Sequence, residues 1–124
     1  MTYHDMFLND SEVQHLKKQL LDHFYRINTN INKIQKSSTE ELNYDQLVQS
    51  LSDHRGGSLF YKYIGSGMGN GALVELADGS IKYDFISGIG AHFGHNHPVV
   101  VEALLESAFD NLVMQGNLQQ NKKS

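Results

Sequence analysis

The chain has 124 residues, 40% of them hydrophobic, with no cysteine, no tryptophan and a net charge of −4. One domain with a modest core is the most this length supports. The two Arg and eight Lys form no basic stripe and the balance is acidic, which argues against a nucleic-acid partner; the lack of cysteine excludes disulfides, thiol catalysis and thiolate metal sites. No apolar run approaches the ~20 residues of a membrane span. The N-terminus lacks the charged-then-apolar pattern of a secretory signal, so the expected location is cytoplasmic.

Two unlike halves follow, and the expected fold class is α+β. Residues 1–54 contain no Gly or Pro and read as a helical N-terminal extension. Ser11 with Gln14 three residues on has the form of a capping box, in which the serine oxygen takes up a free N–H at the helix start. Val13, Leu16, Leu20, Phe24, Ile27, Ile31 and Ile34 then form one stripe down a long helix, with the spacing of helices packed side by side. The Asn-rich run from Asn28 to Asn32 loosens its last turns. Ser38 and Glu41 have the form of a second capping box. Tyr44, Leu47, Val48 and Leu51 mark a second amphipathic helix, stopped by Gly56 and Gly57.

Residues 55–97 hold ten of the eleven glycines and read as extended. Leu59–Ile64 predicts a short strand from its aromatic and β-favouring residues. Ala72–Ala77, Asp78-Gly79 and Ile81–Phe85 predict an antiparallel hairpin whose Asp-Gly pair supplies a two-residue type I′ turn. Ile81, Tyr83 and Phe85 share one face, and Lys82 and Asp84 the other. Pro98 opens a third helix, since its missing N–H has no partner at the first helical position. Val101, Leu104, Ala108 and Leu112 are its stripe, widened by Leu105 and Phe109. The tail to Ser124 carries no stop signal and reads as a chain that continues.

Four groups of residues carry possible chemistry. Gly65–Gly71 invites a phosphate-loop reading, but no Gly-Lys-Ser/Thr runs into a helix there, and a flexible connection is the expectation. Gly88, Gly90 and Gly94 imitate a dinucleotide fingerprint, yet three residues separate the last glycine from Pro98 and no second parallel strand follows. His92, His95 and His97 would suffice for zinc if they converged, but no carboxylate lies between them to orient a ring, and a hydrogen-bonded turn is the plainer reading. Ser87 and His92 lack the strand–elbow–helix frame of a hydrolase nucleophile and a third, orienting acid.

One resemblance accounts for these residues together. Gly71, Leu73, Asp78, Gly79, Asp84, Phe85, Ser87-Gly88-Ile89-Gly90, Gly94-His95-Asn96-His97-Pro98 and Val100-Val101-Glu102-Ala103-Leu104 stand in the order of a familiar pattern. It is the N-terminal signature of class III pyridoxal-phosphate aminotransferases, the ornithine and acetylornithine aminotransferase group, which residues 57–121 resemble. Two departures stand out: the stretch between Ile89 and Gly94 is shorter, and the first acid of the hairpin pattern is replaced.

The resemblance implies that 55–124 is an incomplete N-terminal segment of the small domain of a fold-type I aminotransferase. Such enzymes move an amino group from an amino acid or other amine to a 2-oxo acid, and they work as dimers. It implies substrate contacts at Ser87, Gly88, Ile89 and Gly90, and an approach to the cofactor by Gln115, Gly116 and Asn117. The Schiff-base lysine, the acid facing the ring nitrogen and the phosphate-binding loop lie further on in the family, so no catalytic residue is expected here. Stable binding of pyridoxal phosphate is not expected either, and no metal site is assigned. The alternative is a stand-alone dimerisation or protein-interaction module without catalysis. Both readings expect a homodimer or higher oligomer joined through helices, because the long stripe and the broad face of the third helix leave large apolar side chains to cover.

Overall fold

The computed structural model describes residues 1–37, 41–85 and 93–110. The fold is α+β: among these residues there are four helices and a three-stranded antiparallel sheet of order β1-β2-β3. The elements are α1 (Tyr3–Leu8), α2 (Ser11–Asn28), α3 (Glu41–Arg55), β1 (Gly65–Asn70), β2 (Leu73–Leu76), β3 (Ile81–Tyr83) and α4 (Pro98–Ser107).

The helical half departs from expectation at both ends of its long helix. A separate first helix exists, α1, closed by a capping box in which Thr2 accepts from the Asp5 N–H and Asp5 accepts from the Thr2 N–H. The N-cap of α2 is Asp10, not Ser11. One Asp10 carboxylate oxygen accepts from both Glu12 and Val13 N–H, and a carboxylate at a helix start is favoured by the dipole as well as by the hydrogen bonds. The helix stops at Asn28, where the Asn-rich run begins; Asn30 and Asn32 turn their side-chain amides onto nearby carbonyls and compete with the helical ladder. Ile31 therefore leaves the stripe and enters the core, while Ile34 stays exposed. The second capping box falls on Ser38, outside the described residues. The stop of α3 is as expected: Gly56 has φ +75° and the Gly57 N–H reaches back to the Ser52 carbonyl.

In the sheet, Leu59–Ile64 is not a strand. Its aromatic rings stay in solvent and its backbone is held mainly by Tyr44, whose hydroxyl donates to the Lys62 carbonyl and accepts from the Ile64 N–H. The strand is instead the glycine run Gly65–Asn70, expected to be a flexible connection. Its register with β2 shifts between Gly65 and Gly69, and Gly67, at φ +98°, absorbs the irregularity. The Asp-Gly hairpin forms, but not with a type I′ turn. Leu76 and Ser80 close a loop of Ala77, Asp78 and Gly79, in which Gly79 has positive φ and Asp78 does not. The side chain of Asp78 is the reason: Oδ1 accepts from both the N–H and the hydroxyl of Ser80, fixing the aspartate inside the bend. Burial pushes that carboxyl up, yet the Ser80 hydroxyl and amide, helped by Lys82, hold it below 3.8.

The core is small. Ile31, Leu73 and Ile81 pack together with Met68 against them, so the sheet buries one face onto the segment that follows α2. Gln35 and Ile81 exchange both backbone hydrogen bonds, continuing the sheet by a single bridge. Of the expected β3 face, Ile81 is buried while Tyr83 and Phe85 are exposed. No residue of α1 or α4 is buried. Helix α1 is joined to the residues just after α4 by the Phe7 and Phe109 rings, 5.0 Å apart edge to face, and by His4 Nε2 lying 2.8 Å from Asp110 Oδ1. With so few buried apolar side chains, each carries a large share of stability. Ile81→Ala is expected to cost about 2–5 kcal/mol, enough to unfold the sheet half at room temperature, and urea titration followed by circular dichroism measures it.

Candidate functional site

The turn His95-Asn96-His97 is laid against β1 and leads directly into α4. Two glycine positions make this approach possible. A Cβ on Gly69 would lie 2.6 Å from the His95 Cβ and 2.8 Å from the Leu73 carbonyl oxygen; one on Gly94, at φ +82°, would lie 2.9 Å from the Gly71 Cα. Backbone thus meets backbone, and Gly71 and His95 exchange two hydrogen bonds, of 2.8 and 3.2 Å.

Side chains finish the assembly. Asn96 adopts φ +53°, tolerable for asparagine, and its Oδ1 accepts from the Gly69 N–H at 2.9 Å. Its carbonyl accepts from the Tyr25 hydroxyl of α2. Burial raises the Tyr25 pKa, with a further push from Glu102. His95 Nε2 lies 2.8 Å from Asp84 Oδ2, and both side chains are largely shielded. The Asp84 N–H is itself bonded to the Ala72 carbonyl, so this carboxylate is anchored to the sheet before it reaches the imidazole. A carboxylate held this way fixes the orientation of the ring. Asp84 is the orienting acid that the histidine spacing did not reveal, because it lies eleven residues upstream rather than between the histidines.

The two ends of the segment between Phe85 and Phe93 are therefore tied to each other. Ser87, Gly88, Ile89 and Gly90, expected to contact substrate, lie in that segment and outside the described residues, as does His92. Gln115, Gly116 and Asn117, expected near the cofactor, also lie outside them. Of the three histidines, His95 is paired with Asp84, and His97 is the N-cap residue of α4 with its ring beside Phe93. Among the described residues no group of three or more His, Asp or Glu converges as a metal site.

Lys17 was not singled out by the sequence, yet it is the most consequential charge. Its ammonium lies 2.9 Å from Glu106 and 3.0 Å from Glu102, fastening α2 to α4. A groove of about 550 Å³ runs beside this clamp, lined by Gln14, His15, Lys18 and Leu21 as well. Hydrogen bonds to Glu106 and then Glu102 raise the Lys17 pKa against the opposing effect of burial. An imine-forming lysine needs the opposite, a lowered pKa and an unprotonated amine. Lys18 is paired with Asp22 on the surface, and Lys82 sits over the Tyr63 ring. Lys17, held protonated by its two glutamates, is therefore placed as a clamp between helices.

Two outcomes test this geometry. Gly69→Ala should displace the His95 turn and cost about 1–3 kcal/mol, whereas Gly65→Ala, whose Cβ would meet nothing closer than 3.9 Å, should change far less. Thermal melts of the two variants compare them directly. The raised Lys17 pKa means that its contribution is complete below 10.5, the value of the unpaired lysine, and is lost as pH climbs through the folded value. Tyr25, raised above 10.0, works in the same direction. Stability should therefore fall from about pH 10 upward, and Lys17→Met should flatten part of that fall in urea titrations at increasing pH.

The chain matches no family model, no curated protein and no solved structure.

Proposed function

We propose that residues 55–124 are the N-terminal segment of the small domain of a pyridoxal-phosphate aminotransferase, and that residues 1–54 are an extension attached to it. The supporting observation is that the signature residues are one another's partners. Gly71 meets Gly94 and pairs with His95, and Asp84 pairs with His95. Leu73 lies in the core beneath them, and Pro98 takes the first position of α4. A motif whose members are scattered by chance over 28 residues of sequence has no reason to interlock in this way; a motif that sets a loop between a hairpin and a helix does.

In this reading the Asp84–His95 pair and the Gly71–Gly94 approach are positioning devices. They hold the ends of the segment containing Ser87–Gly90, which contacts the amino-acid or amine donor and the 2-oxo acid. In this reading the Schiff-base lysine, and with it the hold on the cofactor, belongs to the later part of the enzyme that the resemblance implies. Transamination requires that part, so the isolated chain is inactive.

A second reading, a stand-alone interaction module, is favoured by one observation: Leu16, Leu20 and Ile27 on α2 are each more than half exposed. Sequencing the transcript through the Ser124 codon separates the two. The aminotransferase reading expects an open frame encoding a Ser-Gly-Thr-type loop and a later lysine, and a stop codon directly after Ser124 would leave the module. Borohydride reduction of the chain mixed with pyridoxal phosphate, read by peptide mass spectrometry, should give only scattered substoichiometric adducts. A stoichiometric adduct at one lysine would overturn the assignment of the catalytic lysine to other residues.

A further inference from the structure

We infer that the outward ridge of α2 is a self-association seam that pairs antiparallel with α2 of a second copy of this chain. The inference goes beyond the aminotransferase reading and does not depend on it, because α2 lies in the part of the chain that the resemblance leaves uncovered.

The structure turns part of the apolar stripe of α2 away from the side that docks onto the rest of the chain. The shielded residues of α2 are Val13, Gln14, Lys17, Leu21, Phe24, Tyr25 and Asn28, and four of these seven are polar. They hold α2 by side-chain bonds: Lys17 to Glu102 and Glu106, Tyr25 to the Asn96 carbonyl. Leu16, Leu20 and Ile27 are rotated away from that side and are 56%, 56% and 60% exposed. With Val13 and His23 they recur at intervals of 3, 4, 3 and 4, the alternation of a coiled-coil seam rather than of a broad core-facing stripe. That spacing selects another helix as the occupant, because knobs three and four residues apart fill the holes of a facing helix.

Charge selects a second copy and its direction. Asp10 and Glu12 lie at the N-terminal end of α2, and Arg26 lies in its last turn. Antiparallel pairing about a two-fold axis carries the acidic end of each helix toward the basic end of the other, and opposes the helix dipoles favourably. Parallel pairing would stack Glu12 on Glu12 and Arg26 on Arg26. The antiparallel register sets Leu16 against Ile27 and Leu20 against His23 of the second copy, so these four seam residues gain partners, each layer occurs twice, and Val13 lies at the end of the seam. The two symmetry-related histidine layers in an otherwise apolar seam restrict register and strand number.

Light scattering of the full chain across micromolar concentrations should show a dimer in equilibrium with monomer. Leu20→Glu should raise the dissociation constant about tenfold or more while the helical circular-dichroism signal is retained, as expected for a central interface residue. Because the chain has no cysteine, introduced thiols report geometry without background. The double variant Leu16→Cys with Ile27→Cys should oxidise to a covalent dimer, and each single variant should not. Monomer at every concentration, or a dimer indifferent to Leu20→Glu, would overturn the seam. A covalent dimer from Leu16→Cys alone would overturn the antiparallel arrangement.

Discussion

The rest of the fold depends on the close approach of two backbones, Gly69–Gly71 at the end of β1 and Gly94–His95 before α4. Any side chain at Gly69 or Gly94 would fill the space that the opposing chain occupies. Because that space is open, His95 forms a bridge with Gly71, Asn96 reaches the Gly69 amide, and α4 is launched from a fixed point on the sheet. The Asp84–His95 pair then closes the same junction from β3. One steric condition thus places a loop, a helix and a charge pair together.

Beyond this junction the chain is held more by polar contacts than by a deep core. The apolar cluster of Ile31, Leu73 and Ile81 is confined to the sheet and the segment after α2. The junction of α2 with α4 rests on Lys17 shared between two glutamates, and that of α1 with the residues just after α4 on one aromatic pair and the His4–Asp110 contact. Lys17 is partly shielded while Glu102 stays about half exposed, so solvent screens the clamp, and it is sensitive to pH and dependent on both partners. Apolar side chains remain outward on α2 and α4, including Val99 and Leu104, so the described residues leave apolar faces uncovered on both helices.

The same geometry fixes the base of the loop between Phe85 and Phe93. Among the described residues the most firmly built feature is the loop base at His95. A carboxylate tied to the sheet by its own amide, and an imidazole tied to it by its backbone, form a rigid pair at that base.

Local rules in the sequence determined the helical stop at Gly56-Gly57, the start of α4 at Pro98, the existence of the Asp-Gly hairpin and the loosening of α2 at its asparagines. Each depends on a residue's own backbone preference or on groups a few positions away. Competition between neighbouring local signals was harder to read: Asp10 displaces Ser11 as cap because a carboxylate offers more to the helix start, and Asp78 recasts the turn by binding Ser80. Only the tertiary structure decided that Gly65–Asn70 is a strand, since glycine has no strand preference and the pairing is imposed by Leu73–Leu76 and by the approach of His95. It likewise decided which side of α2 faces inward, because Lys17 and Tyr25 find partners about 70–90 residues away, beyond the reach of any helical periodicity. The pairing of Asp84 with His95 belongs to the same class: the residues were legible one by one, and their contact exists only because two glycines let the chain fold back on itself.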